Sequence, residues 1–195
     1  MAHEGNRLLL GGGIGSGKTA AASCFAALGS LIVSTDDLAR SLLVPGTVET
    51  GRVIARWPEV ESSPGVIDRR ILGRIVFADG GLLAELEAIV HPGVAALVNA
   101  AADSHPTEVV IVEIPVLRDL PGRGWPWIVV DAPEPIRVAR AAGRGVFSEA
   151  EVRQVMERQS TRSEWLAAAT WVIDNSGDRE QFEEQCRRVW AAIGD

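Results

Sequence analysis

The chain has 195 residues, 47% apolar and 23% charged, with a formal net charge of −7. That length and balance suit one globular domain with a substantial core. The negative charge argues against general attraction to nucleic acid or to an anionic membrane. Cys24 and Cys186 stand far apart in sequence and form neither a disulfide framework nor a zinc pattern, so free thiols in a reducing compartment are expected. Met1 to Asn6 lacks the charged and apolar regions of a secretory leader. The apolar runs are too short to suggest a membrane span, and a cytoplasmic protein is expected.

In chain order, the first apolar run, Leu8 to Leu10, reads as a strand. It leads into Gly12-Gly13-Ile14-Gly15-Ser16-Gly17-Lys18-Thr19 and then an alanine-rich helix, Ala20 to Leu28. Strand, glycine loop and helix form the context that the G-x-x-x-x-G-K-[ST] pattern requires. Glycines let backbone N–H groups converge on a polyphosphate, and the helix aims its positive dipole end at the same anion. Gly13, Ile14, Gly15, Ser16 and Gly17 are therefore expected to contact a nucleotide, with Lys18, Thr19 and Ala20 at the head of the helix. Lys18 would reach the β- and γ-phosphates, and the Thr19 hydroxyl would bind Mg²⁺. Of the 19 basic residues, 18 are arginine, so Lys18 is the only lysine. A compact ammonium has been kept at the one place where a point charge must sit inside a phosphate nest.

Leu31 to Val33 reads as a second buried strand, followed by a helix from Asp37 to Leu43 that Thr35 or Asp36 can cap. Pro45-Gly46 ends it. A helix from about Val48 to Arg56 stops at Trp57-Pro58, and Glu61 to Gly65 reads as a turn near the boundary of an insert. Helical periodicity resumes from Asp68, with Ile71, Leu72, Ile75 and Val76 as its apolar face. Leu82 to Val90 predicts another helix, broken at His91-Pro92 because a residue before proline disfavours the α region; a further helix covers about Val94 to Ala102. Val109 to Val112 and Ile128 to Val130 are continuous and β-branched, as strands buried on both faces should be. Ala132 to Ala142 predicts a helix and Gly143-Arg144-Gly145 a flexible joint. Ser148 opens a capping-box helix reaching about Gln159. Trp171 to Ile173 predicts the last strand and Asp178 to Ala192 the closing helix. Strands alternating with helices predict an α/β fold, a P-loop NTPase-type parallel sheet of about five strands flanked by helices.

Ligands of such sheets sit outside the carboxyl ends of the strands. Asp36, Glu113, Asp119 and Asp131 fall there. Phosphoryl transfer needs a carboxylate near the acceptor hydroxyl, and Asp36 is the candidate, with a plain helix cap as its alternative role. Arg140 and Arg144 are four apart beside the glycine joint, where a lid would bring cations onto a transferring phosphoryl group. Asn175-Ser176-Gly177-Asp178 follows the last strand, where nucleotide bases lodge; it lacks the lysine of the guanine-reading element. The six tryptophans read as core and rim residues.

Together these stretches resemble the dephospho-coenzyme A kinase family over nearly the whole length. Gly12 to Thr19 matches its glycine loop. Ile67-Asp68-Arg69-Arg70, Val76-Phe77 and Ile89-Val90-His91-Pro92 resemble its acceptor-binding insert, and Pro115 to Asp119 resembles its P-L-L-x-E. Asp131, Arg140, Arg144, Arg158-Gln159 and Arg162 fit its lid and flanking helix, and Val172 to Gly177 its adenine-side loop. The resemblance implies one P-loop kinase domain over 1–195, with an acceptor-binding insert at about 60–106 and a lid at about 141–160. It implies transfer of the ATP γ-phosphoryl group to the ribose 3′-hydroxyl of dephospho-coenzyme A, with Mg²⁺, in a monomer or weak homo-oligomer. Lys18, Asp36, Arg140 and Arg144 would be catalytic. Asn175, Ser176 and Gly177 would line the adenine, while Arg69, His91, Asp119 and Arg162 join Asp36 in binding the acceptor. Ser34 stands where the family carries an acidic residue, and Asp119 where it carries glutamate. Another small-molecule P-loop kinase, for a nucleoside, nucleotide or sugar acid, and a non-catalytic nucleotide-binding relative are the alternatives.

Overall fold

Three apolar runs form the centre of a sheet. In the computed structural model, which describes residues 6–118 and 120–194, the chain runs β1 (Arg7–Gly11), α1 (Lys18–Ala27), β2 (Leu31–Ser34), α2 (Thr35–Leu42) and α3 (Val48–Arg56). A 3-10 turn (Pro58–Val60), β3 (Glu61–Ser63), β4 (Val66–Ile67), α4 (Arg69–Ala78) and α5 (Gly80–Ser104) follow. The second half is β5 (Val110–Glu113), β6 (Trp127–Asp131), α6 (Glu134–Ala142), α7 (Glu149–Arg158), α8 (Arg162–Ala168), β7 (Ala169–Asp174) and α9 (Arg179–Gly194). Asp119 lies outside the described residues.

The main sheet has five strands in the order β2-β5-β1-β6-β7, and every pairing is parallel. This is the expected α/β architecture. Its central strands carry continuous apolar runs, as strands buried on both faces do: Leu8, Leu9, Leu10, Val110, Ile111, Val112 and Ile128 are fully buried. Phe25 of α1 and Phe182, Cys186, Val189 and Ile193 of α9 pack on one face. Four tryptophans are buried, and Trp171 and Trp190 lean half-buried against this core.

The chain forms two compact units. The first takes the described residues before Thr35, those from Ala101 to Arg118 and those after Gly122; the second takes Thr35–Ala100 and Leu120–Gly122. The second has its own core, in which Val53, Trp57, Val60, Ile67, Leu72 and Val76 are buried.

Four elements differ from the sequence expectation. His91-Pro92 does not break the chain: α5 is one 25-residue helix with Pro92 inside it. Proline removes one backbone hydrogen bond, but Val90, Val94, Val98 and Ala102 are buried at four-residue spacing across the break, and that stripe carries the helix through. So joined, α5 also has the length and apolar content of a membrane span, with a window of mean hydropathy 1.5, although the separate runs looked too short. The Glu61–Gly65 stretch proves to be a strand, β3, and the turn at Pro64-Gly65 that pairs it with β4 in a hairpin. The segment 162–168 is a helix, α8, opened by a reciprocal capping box between Thr161 and Glu164. Finally, α2 begins at Thr35 with no connecting loop after β2, so Asp36 sits within the first turn rather than capping it.

Candidate active site

The glycine loop joins β1 to α1 in the first unit. Gly12, Gly15 and Gly17 adopt φ of 140°, 76° and 108°, values that a side chain resists. The Lys18 ammonium donates to the Gly12 carbonyl at 2.8 Å, which holds the charge over the loop. Space is as restrictive as φ. A Cβ on Gly13 would overlap the Arg137 guanidinium, one on Gly15 the Arg137 backbone carbonyl, and one on Gly17 the Asn175 amide.

Side chains from three later elements fix the loop. Arg137 Nε donates to the Ile14 carbonyl at 3.0 Å, the Ile14 N–H donates to Gln159 Oε1 at 2.8 Å, and Asn175 Nδ2 donates to the Ser16 carbonyl at 2.7 Å. Arg137 is buried; burial pulls its pKa below the ordinary arginine value, opposed by the nearby Asp131 and Glu134 carboxylates. Arg162 forks onto Asp131, with Nε to Oδ1 at 2.9 Å and Nη2 to Oδ2 at 2.6 Å, a geometry suited to a guanidinium and a carboxylate. Its hydrogen bond to Asp131 raises the Arg162 pKa. Arg162, expected on the acceptor, is thus engaged at the end of β6.

A cavity of about 810 Å³ opens beside the loop, within the size range of small-molecule sites. Two helix faces form its walls. Ala20, Ser23, Cys24 and Ala27 line it from α1, and Arg179, Phe182, Glu183, Cys186 and Arg187 line it from α9. Both sets follow the three-and-four spacing of one helical face, and the small residues on α1 leave the room. Arg140, Arg144, Asn175 and Gly177 complete the lining. Arg140 and Arg144 do not share a helix face, because α6 ends at Ala142 and Gly145 turns at φ 74°. They reach one cavity nonetheless. Arg140 Nη1 also donates to the Asn175 carbonyl at 2.7 Å, so it secures the loop after β7. The Ser176 N–H donates to Asp174 Oδ1 at 2.9 Å.

Glu113 ends β5 in register with Leu10 of β1 and Ser34 of β2. In the second unit, Asp36 is exposed in the first turn of α2. Arg69 is exposed at the start of α4 and donates to the Arg40 carbonyl at 3.0 Å. His91 is half-buried within α5.

The dephospho-CoA kinase family profile matches residues 8–181. The chain belongs to the dephospho-CoA kinase family. It is 37% identical to a dephospho-CoA kinase of Frankia casuarinae over 185 residues, covering 93% of this chain and 80% of the other. It is 36% identical to one of Thermobifida fusca over 188 residues, with 94% of each chain covered. A crystal structure from Thermus thermophilus superposes with a TM-score of 0.82 at 32% identity, covering 95% of this chain and 96% of that one.

Arg137 and Gln159, which hold the loop, carry little local signal: an arginine or glutamine in a helical stretch is ordinarily solvated, and only the place of Arg137 one turn before Arg140 points to it. The two thiols, distant in sequence, meet across α1 and α9 and are both free. Burial pushes the Cys186 thiol up to about 12, with Cys24 beside it adding to the effect. An aromatic disulfide reagent at pH 8 is therefore expected to titrate one thiol, Cys24, in the native protein and both after unfolding. ATP is expected to slow the Cys24 reaction; two fast native thiols would mean that the α1–α9 wall opens freely.

Proposed function

We propose that the chain is an ATP-dependent kinase that transfers the γ-phosphoryl group of ATP to the ribose 3′-hydroxyl of dephospho-coenzyme A. The observation that carries this reading is a phosphate-type loop, with its single lysine, opening onto an 810 Å³ cavity in a member of that family. Backbone N–H groups of Gly13 to Thr19 and the Lys18 ammonium hold the polyphosphate. The adenine lies in the cavity between α1 and α9, against Asn175, Ser176 and Gly177. Arg140 and Arg144, at the start of a lid of about 141–160, neutralise charge on the transferring group.

The described residues contain no cluster of three His, Cys, Asp or Glu side chains able to hold a metal. That suits Mg²⁺, which keeps its waters and takes few protein ligands beside the phosphates of its nucleotide. The exposed Thr19 hydroxyl next to Lys18 is the hard oxygen that would hold it. Bound there, the ion would supply charge neutralisation to the phosphates. Asp36 orients the acceptor hydroxyl and takes its proton as the oxygen–phosphorus bond forms and the β–γ bridge breaks to release ADP. Arg69, His91 and the segment of about 60–106 receive the acceptor, with Asp119 as a further contact.

The test is ADP release by the purified protein with ATP and Mg²⁺, with and without dephospho-coenzyme A, and a mass measurement of the product. Acceptor-dependent release with the gain of one phosphate is expected. ATP binding with no acceptor-dependent turnover would overturn the reading and direct the search to other hydroxyl acceptors.

A further inference from the structure

Three separate handles of one loop residue end on the same segment. The Ile14 N–H donates to Gln159 Oε1 and its carbonyl accepts from Arg137 Nε. Its side chain packs on an apolar cluster in which Val138 and Ala141 of α6 meet Val152 of α7. Gln159 is the residue that caps the carboxyl end of α7, in extended conformation, and Thr161 two residues later opens α8. Ile14 is therefore joined by its donor, its acceptor and its side chain to the two helices on either side of the Gly143–Gly145 joint.

We infer that Arg137 and Gln159 are positioning residues that clamp Ile14 and thereby couple the α6–α7 segment to the shape of the phosphate loop. The inference rests on the kinase reading above, in which that loop binds ATP. Its physical basis is twofold. A phosphate nest works only when successive N–H groups converge, so a loop with three left-handed glycines needs an outside frame to hold one shape. A guanidinium as buried as that of Arg137 carries a desolvation cost that an apolar side chain of similar volume would avoid. The Ile14 carbonyl and the carboxylate of Asp131 nearby are what it serves. Gln159 transmits in the other direction: a displacement of α7 pulls on the Ile14 N–H, so lid position and nest geometry move together.

The experiment compares Gln159→Leu, Arg137→Met and Arg137→Lys with the unaltered protein. One neutral hydrogen bond changes an equilibrium about fivefold, and one made by a charged donor about tenfold or more. Gln159→Leu should therefore raise KM for ATP about fivefold and Arg137→Met about tenfold or more, both with kcat nearly unchanged, and Arg137→Lys, which keeps a charged donor, should recover part of that loss. Amide hydrogen exchange in the loop, residues 12–17, should quicken while β1 and the core of α1 stay protected. The double variant should lose less than the sum of the single losses, since both bonds frame one residue. A purely structural role would lower the amount of folded enzyme, and with it apparent kcat, at constant KM and unchanged loop exchange; that result would overturn the inference. Gln159 is only half-buried, so its variant decides the matter even where Arg137→Met folds poorly. If the unaltered protein shows no acceptor-dependent turnover, the kinase reading fails alone, and ADP affinity measured calorimetrically on the same variants still confirms or overturns the clamp.

Discussion

Lys18→Met is expected to lower acceptor-dependent turnover by about a thousandfold. A preorganised donor aimed at charge that develops in the transition state is worth about 10²–10³ in rate, or roughly 3–4 kcal/mol, and Lys18 adds a full charge to that role. The side chain opens α1 and is held over the loop by its bond to the Gly12 carbonyl at 2.8 Å. It packs no core, so thermal stability should stay nearly level while activity collapses. Lys18→Arg should not rescue. The loop has no room for even a methyl group at Gly13 or Gly17, and a planar guanidinium cannot take the place of a compact ammonium there. The sequence offers a second check. With one lysine in 195 residues, an amine-acylating reagent can modify only Lys18 and the chain terminus, and ATP should protect Lys18 in a mass map. Turnover within tenfold of the unaltered protein would remove Lys18 from the reaction.

The loop was legible in the sequence because its chemistry is local: strand, glycines, lysine and helix follow each other within about a dozen residues, the context that gives the pattern its meaning. The sheet was legible for a related reason. Strands buried on both faces are continuous apolar runs, and β1, β5 and β6 contain Leu8 to Leu10, Val110 to Val112 and Ile128 to Val130. What failed was local reasoning where tertiary packing decides. Pro92 carries a strong break signal, and the buried stripe of Val90, Val94, Val98 and Ala102 overrides it. The helix α8 is announced by Thr161-x-x-Glu164, a capping box as clear as that of Ser148. The contacts that Arg137, Gln159 and the Asp131–Arg162 pair make were not legible, since each joins residues 31 to 145 positions apart. The same holds for Arg140. Spacing suggested a lid cation, whereas its bond to the Asn175 carbonyl makes it also a fastening for the loop after β7.

Asp36→Asn is expected to lower kcat by about 10²–10⁴, the range for losing a positioned general base, with KM for ATP nearly constant. The argument runs from the strand order. β2 lies parallel to β5 and β1, so its carboxyl end is on the same sheet edge as the end of β1, from which the phosphate loop departs. Asp36 follows two residues after that end, without an intervening loop. Its neighbour Asp37 makes an exposed ion pair with Arg40 at 2.7 Å, a contact of small energetic worth. Asp37→Asn should therefore change turnover by less than about threefold, and the contrast between adjacent carboxylates separates chemistry from the loss of one negative charge at the start of α2. Ser34, on the strand itself, sharpens the test. Ser34→Asp restores an acidic residue beside Glu113; if it raises turnover in the unaltered background but leaves Asp36→Asn inactive, the two positions have different duties, and proton removal belongs to Asp36. If Ser34→Asp instead rescues Asp36→Asn, either carboxylate suffices to orient the hydroxyl, and Asp36 is an orienting group rather than the base.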